Sequence, residues 1–159
     1  TYFGGFKYTH GTPFRRAIEE DLIDPKKYVI LGLRGGLYNP DDLKWAIEQG
    51  ITIISTDKFY EIGMNETIKI IKDILGDTPT YFTFDIDGID PTFAPGTGTP
   101  EVGGITVREA QLIIRHLNDL NLIGADVVEV SPPFDVNNMT SLVGATIAFE
   151  ILCTMTKTN

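Results

Sequence analysis

Four short apolar runs alternate with stretches of helical periodicity, and this alternation constrains the fold more than any other feature. YVILGL (28–33), ITIIS (51–55), TYFTFDID (80–87) and IGADVVEVS (123–131) each lie between turn-forming residues. They are too short for helices and nearly continuous in apolar character, as strands buried on both faces are. The segments between them carry apolar residues at helical spacing. Asn39, Pro40 and the acids Asp41 and Asp42 open a helix that ends at Gly50 and turns Leu43, Ala46 and Ile47 inward. Thr56-Asp57 caps a short helical turn, and a longer helix over 65–75 presents Ile68, Ile71 and Leu75. A third helix starts at Thr106 with Val107, Ala110, Ile113, Ile114 and Leu117 inward, and a segment over 140–156 is apolar nearly all round, which predicts a deeply buried helix. Strand–helix alternation of this kind predicts an α/β fold, a mainly parallel sheet in a three-layer α/β/α arrangement. In such sheets, ligands bind beyond the carboxyl ends of the strands.

The 159 residues suit one domain, with no internal repeat or linker. Thirteen basic against 22 acidic residues give a net charge of −9, which disfavours phosphate backbones and anionic membranes and suits cationic ligands or divalent metals. No run approaches the length of a membrane helix, no basic-then-apolar leader opens the chain, and the single cysteine forms no internal disulfide. A cytoplasmic location is therefore expected. Cys153, in the run IAFEILC, is expected to be a buried, inert thiol. The chain starts at Thr1 without methionine, as though cut from something longer.

Asp85 and Asp87 stand two residues apart at a strand's carboxyl end, so their side chains are expected on one side. Converging carboxylates repel unless a proton or a cation lies between them, and a hard divalent cation is the usual solution. Asp90, before Pro91, is expected to shape the turn. An EF-hand reading fails on register: counting from Asp85, the sixth residue is Asp90 where glycine is needed and the twelfth is Gly96 where glutamate is needed. An Asp-x-Asp phosphatase of the haloacid-dehalogenase type would use Asp85 as nucleophile, but no lysine follows until Lys157 and Ile89 replaces the expected threonine.

The segment TFDIDGIDPTFAPGTGTPEVGG (83–104), with VVEVSPPFD (127–135) downstream and THGTPFRRA (9–17) upstream, closely resembles the ureohydrolase family. Within it the chain resembles agmatinases and guanidino-acid hydrolases more than arginases, because Thr12 and Ser131 stand where arginases carry glutamine and asparagine. The resemblance implies two Mn²⁺ ions about 3.5–4 Å apart sharing a hydroxide that attacks a guanidinium carbon, releasing urea and an amine. It implies Asp85 as the ligand common to both metals, Asp87 as a ligand of one, and Glu129 as the partner of the guanidinium. A fixed carboxylate suits that planar, permanent cation. His10 matches a histidine proposed to relay protons near the substrate, and Thr99 matches a residue that hydrogen-bonds in the substrate pocket. His116 is expected to be structural. The resemblance also implies a small cationic guanidino substrate, agmatine first and 4-guanidinobutyrate second, and assembly as a homo-oligomer.

The family's remaining metal ligands come from an earlier histidine and an Asp-Ala-His-x-Asp segment at another strand end, and neither occurs here. Residues 1–159 thus resemble the carboxyl-terminal portion of a single ureohydrolase domain. Such a portion is expected to be inactive alone, to lack the domain's amino-terminal strands, and to carry a bare sheet edge and an exposed apolar face.

Overall fold

The computed structural model describes residues 5–39 and 41–156. Helix α1 (Pro13–Glu19) leads into strand β1 (Val29–Leu33), α2 (Lys44–Gln49), β2 (Thr52–Ser55), α3 (Thr56–Leu75), β3 (Thr80–Asp85), α4 (Val107–His116), β4 (Leu122–Val128) and α5 (Met139–Met155). The expected α/β alternation is present, and each strand pairs in parallel: β1 with β2, from Val29 opposite Thr52, and β3 with β4, from Tyr81 opposite Gly124 to Asp85 opposite Val128. Parallel pairs need crossovers, and α2 and α4 supply them.

Local chemistry explains most boundaries. Thr106 and Glu109 form a complete capping box at the start of α4, with Glu109 N–H on the Thr106 hydroxyl at 3.1 Å and Thr106 N–H on the Glu109 carboxylate at 2.7 Å. The cap of helix α3 lies one residue before the expected one. Ser55 accepts from Lys58 N–H at 3.1 Å, and Gly63 (φ 81°) breaks the helix into the two pieces its sequence suggests. Helix α2 is shorter than expected. The Asp42 carboxylate accepts from Asn39 N–H and the Asn39 side chain from Asp41 N–H, closing a turn, so the helix begins only at Lys44, while Pro40 lies outside the described residues.

One apolar core joins the two strand pairs. Ile113 and Ile114 of α4, Ile71 and Leu75 of α3 and Ile147 of α5 pack against Phe82, Phe84, Ala125 and Val127. These helices cover one side of β3 and β4, and Tyr81 on the other side is exposed while its hydroxyl donates to Asp126 at 2.9 Å. Helix α5 departs from expectation. Ile147 and Ile151 are buried, but Leu142, Phe149 and Leu152 are about 60% exposed, and Cys153 is exposed as well. Its apolar character runs all round, yet only one side meets the core among the described residues. Among those residues, no helix is long and apolar enough to cross a membrane.

Among the described residues, the two strand pairs do not form one sheet. Between β1 and β3 lies a cavity of about 570 Å³, lined by every residue of both strands and floored by Ile71, Ile113 and Ile114. Consecutive residues of a strand point to opposite faces. A cavity that touches all of them therefore meets the strand edges, with their unpaired N–H and C=O groups. The expected bare edge is thus a slot between two parallel pairs.

Candidate active site

The acidic residues gather at the carboxyl end of β3, at the mouth of this slot. The strand ends at Asp85, and Ile86–Gly88 form a 3₁₀ turn capped by Asp85, whose Oδ1 accepts from Asp87 N–H at 3.0 Å. The two aspartates do face each other, but the capped turn brings them together. Strand alternation, the reason expected from sequence, stops at Asp85.

Asp87 Oδ2 accepts from the Thr99 hydroxyl at 3.1 Å, so Thr99 reaches the site by holding a carboxylate. No arginine or lysine pairs with either carboxyl group in the described contacts, and Arg34 reaches Asp87 only at its main-chain oxygen, at 2.6 Å. Asp85 is both solvent-exposed and desolvated, because it stands in a concavity with protein on most sides and water at the mouth. Burial pushes its carboxyl up to about 7 against the downward pull of the Asp87 N–H, and the like charges of Asp87 and Glu129 add to the rise. A proton or a cation relieves that repulsion, and the oxygen donors suit a hard divalent ion.

The donor set is nevertheless short. Among the described residues, no group of three or more His, Cys, Asp or Glu side chains could hold a metal ion. The pair fits part of a metal site.

Asp90 plays the expected structural role. It accepts from the N–H groups of Thr92 (2.9 Å), Gly103 (2.8 Å) and Gly104 (3.2 Å), and the Thr92 hydrogen bonds lead in holding its carboxyl down at about 2. The loop after β3 also meets the segment after β4. Thr97 bridges Val130, and Ser131 N–H donates to the Gly96 carbonyl at 2.8 Å. Gly96 is needed for this approach, since a Cβ there would lie 2.8 Å from the Asp135 Cα. Gly96→Ala should therefore cost about 1–3 kcal/mol, read as a fall in the denaturation midpoint with an unchanged m-value.

Glu129 follows β4 in a left-handed conformation (φ 64°), unusual for glutamate and typical of sites where function fixes the backbone. It acts on Asp85 electrostatically from the neighbouring strand end. His10 is exposed on the turn before α1 and does not line the slot, which Asp85, Asp87 and Thr99 do. Its turn is tied down by the Thr12 hydroxyl and by Arg16, both donating to the Lys7 carbonyl, at 2.9 and 3.0 Å. His116 bonds the Leu112 carbonyl of its own helix through Nδ1, at 2.7 Å, in keeping with a structural role.

The family model described as the arginase family matches residues 1–154. The chain belongs to the arginase family. A guanidinopropionase of Pseudomonas aeruginosa is 57% identical over 152 residues, covering 96% of this chain and 48% of that protein. A mitochondrial agmatinase of Gallus gallus is 42% identical over 95% of this chain and 44% of its own length. The solved proclavaminate amidinohydrolase of Streptomyces clavuligerus superposes with a TM-score of 0.91 at 43% identity, over 96% of this chain and 51% of that one. These relatives are amidinohydrolases, as the motifs led us to expect, and the chain spans about half the length of each.

The raised Asp85 value has a pH consequence. The folded, metal-free chain holds its proton more tightly than the unfolded chain does, so it loses stability as pH rises from 3.8 to about 7. A cation takes the anionic form. If the pair holds a divalent cation, its affinity for that cation should therefore rise between pH 6 and 8, with proton release visible as a buffer-dependent heat in calorimetry.

Proposed function

We propose that the complete protein to which these residues belong is a Mn²⁺-dependent amidinohydrolase that splits a guanidino compound into urea and an amine. The observation that carries this reading is the Asp85–Asp87 pair at the mouth of the slot, unpaired with any cationic side chain among the described residues and supported by Thr99. In it, Asp85 and Asp87 hold part of a two-ion Mn²⁺ site, and the ions supply water activation and charge stabilisation. Glu129 takes the guanidinium by charge-assisted hydrogen bonds, and the resemblance of the His10 segment, not its place in the described chain, assigns the His10 imidazole the transfer of a proton to the departing amine nitrogen. The missing ligands come from residues outside these 159, and the slot between β1 and β3 is where a further strand bringing them would fit. A cytoplasmic, homo-oligomeric enzyme belongs to the same proposal.

For the substrate, the 57% identity to a guanidinopropionase against 42% to an agmatinase supports a short guanidino acid over agmatine, the first expectation from the motifs. A colorimetric urea assay on the complete protein with Mn²⁺ tests both levels. Turnover of 3-guanidinopropionate or 4-guanidinobutyrate at a higher kcat/KM than agmatine is the expected result. A preference for agmatine would reverse the substrate assignment, and no urea from any of the three would overturn the function.

A further inference from the structure

Asp87 is fixed at three points. Its N–H caps the Asp85 carboxylate, its own carboxylate takes the Thr99 hydroxyl, and its carbonyl takes the Arg34 guanidinium. The third contact crosses the slot. Arg34 follows the end of β1, a strand that is not hydrogen-bonded to β3. From there its guanidinium donates to carbonyls of three separate segments: Gly32 at 3.3 Å in β1, Asp87 at 2.6 Å in the turn after β3, and Glu101 and Val102, each at 3.2 Å from Nε, in the loop before α4. Gly35 next to it takes a left-handed conformation (φ 82°) that favours glycine, beside the Glu101 side chain.

We propose that Arg34 is a positioning residue that clamps the ends of β1 and β3 and the 101–102 loop together, and so holds Asp87 in its metal-binding orientation. This proposal rests on the metal role assigned to Asp85 and Asp87. A planar fork with five N–H donors can serve several carbonyls at once, whereas a lysine ammonium offers a single point. Carbonyls that accept from a cation make stronger hydrogen bonds than those paired with neutral donors, so the clamp resists the opening of the slot. Groups that orient a metal ligand from behind typically change metal affinity or turnover by about 10–100-fold when removed.

The test uses the complete protein with three variants: Arg34→Ala, Arg34→Lys and Asp85→Asn. Mn²⁺ affinity and the line shape of bound Mn²⁺ are read by electron paramagnetic resonance, kcat and KM by urea release, and folding by circular dichroism. Arg34→Ala should weaken Mn²⁺ binding and lower kcat by about 10–100-fold, with a changed line shape and a smaller effect on KM; Arg34→Lys should recover only part. A folded Arg34→Ala with wild-type affinity, line shape and kcat overturns the clamp, even if its melting temperature falls. Should Arg34→Ala not fold, Arg34→Lys decides: a weakened site supports the clamp, and wild-type Mn²⁺ affinity overturns it. Unchanged Mn²⁺ binding in Asp85→Asn overturns the metal assignment itself, which separates that failure from a failure of Arg34 alone.

Discussion

Asp85→Asn in the complete protein should reduce urea release by about a thousandfold or more, since losing several kcal/mol of metal-supplied stabilisation slows a reaction by that order. The substitution keeps the shape of the side chain and its capping oxygen for Asp87 N–H, so the 3₁₀ turn survives. It removes the charge that a cation requires. It also removes an unfavourable charge from the metal-free protein, because Asp85, desolvated by burial and then flanked by Asp87 and Glu129, already resists ionisation. The metal-free variant should therefore melt at the same temperature as the parent or slightly higher above pH 7, which is the opposite of what a damaged core residue would do. Loss of turnover together with retained stability identifies a functional carboxylate. Loss of both would point to a purely structural aspartate.

Residues 1–159 alone should release no urea above background with Mn²⁺ and any guanidino substrate, whereas the complete protein should turn over. Two considerations lead to this. Among the described residues, Asp85 and Asp87 are not joined by a third ligand, and two carboxylates leave a second ion without a protein cage. Among the described residues the strand edges flanking the slot are also unpaired, so the short chain should self-associate or hold the slot less rigidly than the complete protein. Light scattering reads the self-association and a urea assay the turnover. Turnover by the isolated chain would show that the ligand set is already complete within it.

Much of this architecture is legible in the residues. The four apolar runs became β1 to β4, the capping signal at Thr106 became a full capping box, and the loop from 83 to 104 meets the segment after β4 as adjacent motifs of one site would. What stayed hidden depends on residues far apart in sequence. The apolar character of α5 says that it can be buried on every side, but burial needs a partner surface, and the described residues supply one for Ile147 and not for Phe149. The same gap leaves Cys153 in solvent. Strand periodicity placed Asp85 and Asp87 together for a reason that the 3₁₀ turn replaced. Arg34 was missed because its partners are main-chain carbonyls, which leave no trace in side-chain patterns. The only local signal was a lone arginine at a strand's carboxyl end, before Gly35-Gly36. The resemblance puts Thr99 in the substrate pocket, and the structure adds a hydrogen bond from its hydroxyl to Asp87, which no sequence pattern announces.

Metal analysis of the purified complete protein, wild type against Asp85→Asn, tests the central claim most directly. The aspartate pair as a shared Mn²⁺ anchor predicts two tightly held Mn²⁺ per wild-type chain and at most one, weakly held, in the variant. Two Mn²⁺ retained by Asp85→Asn with wild-type affinity would contradict it.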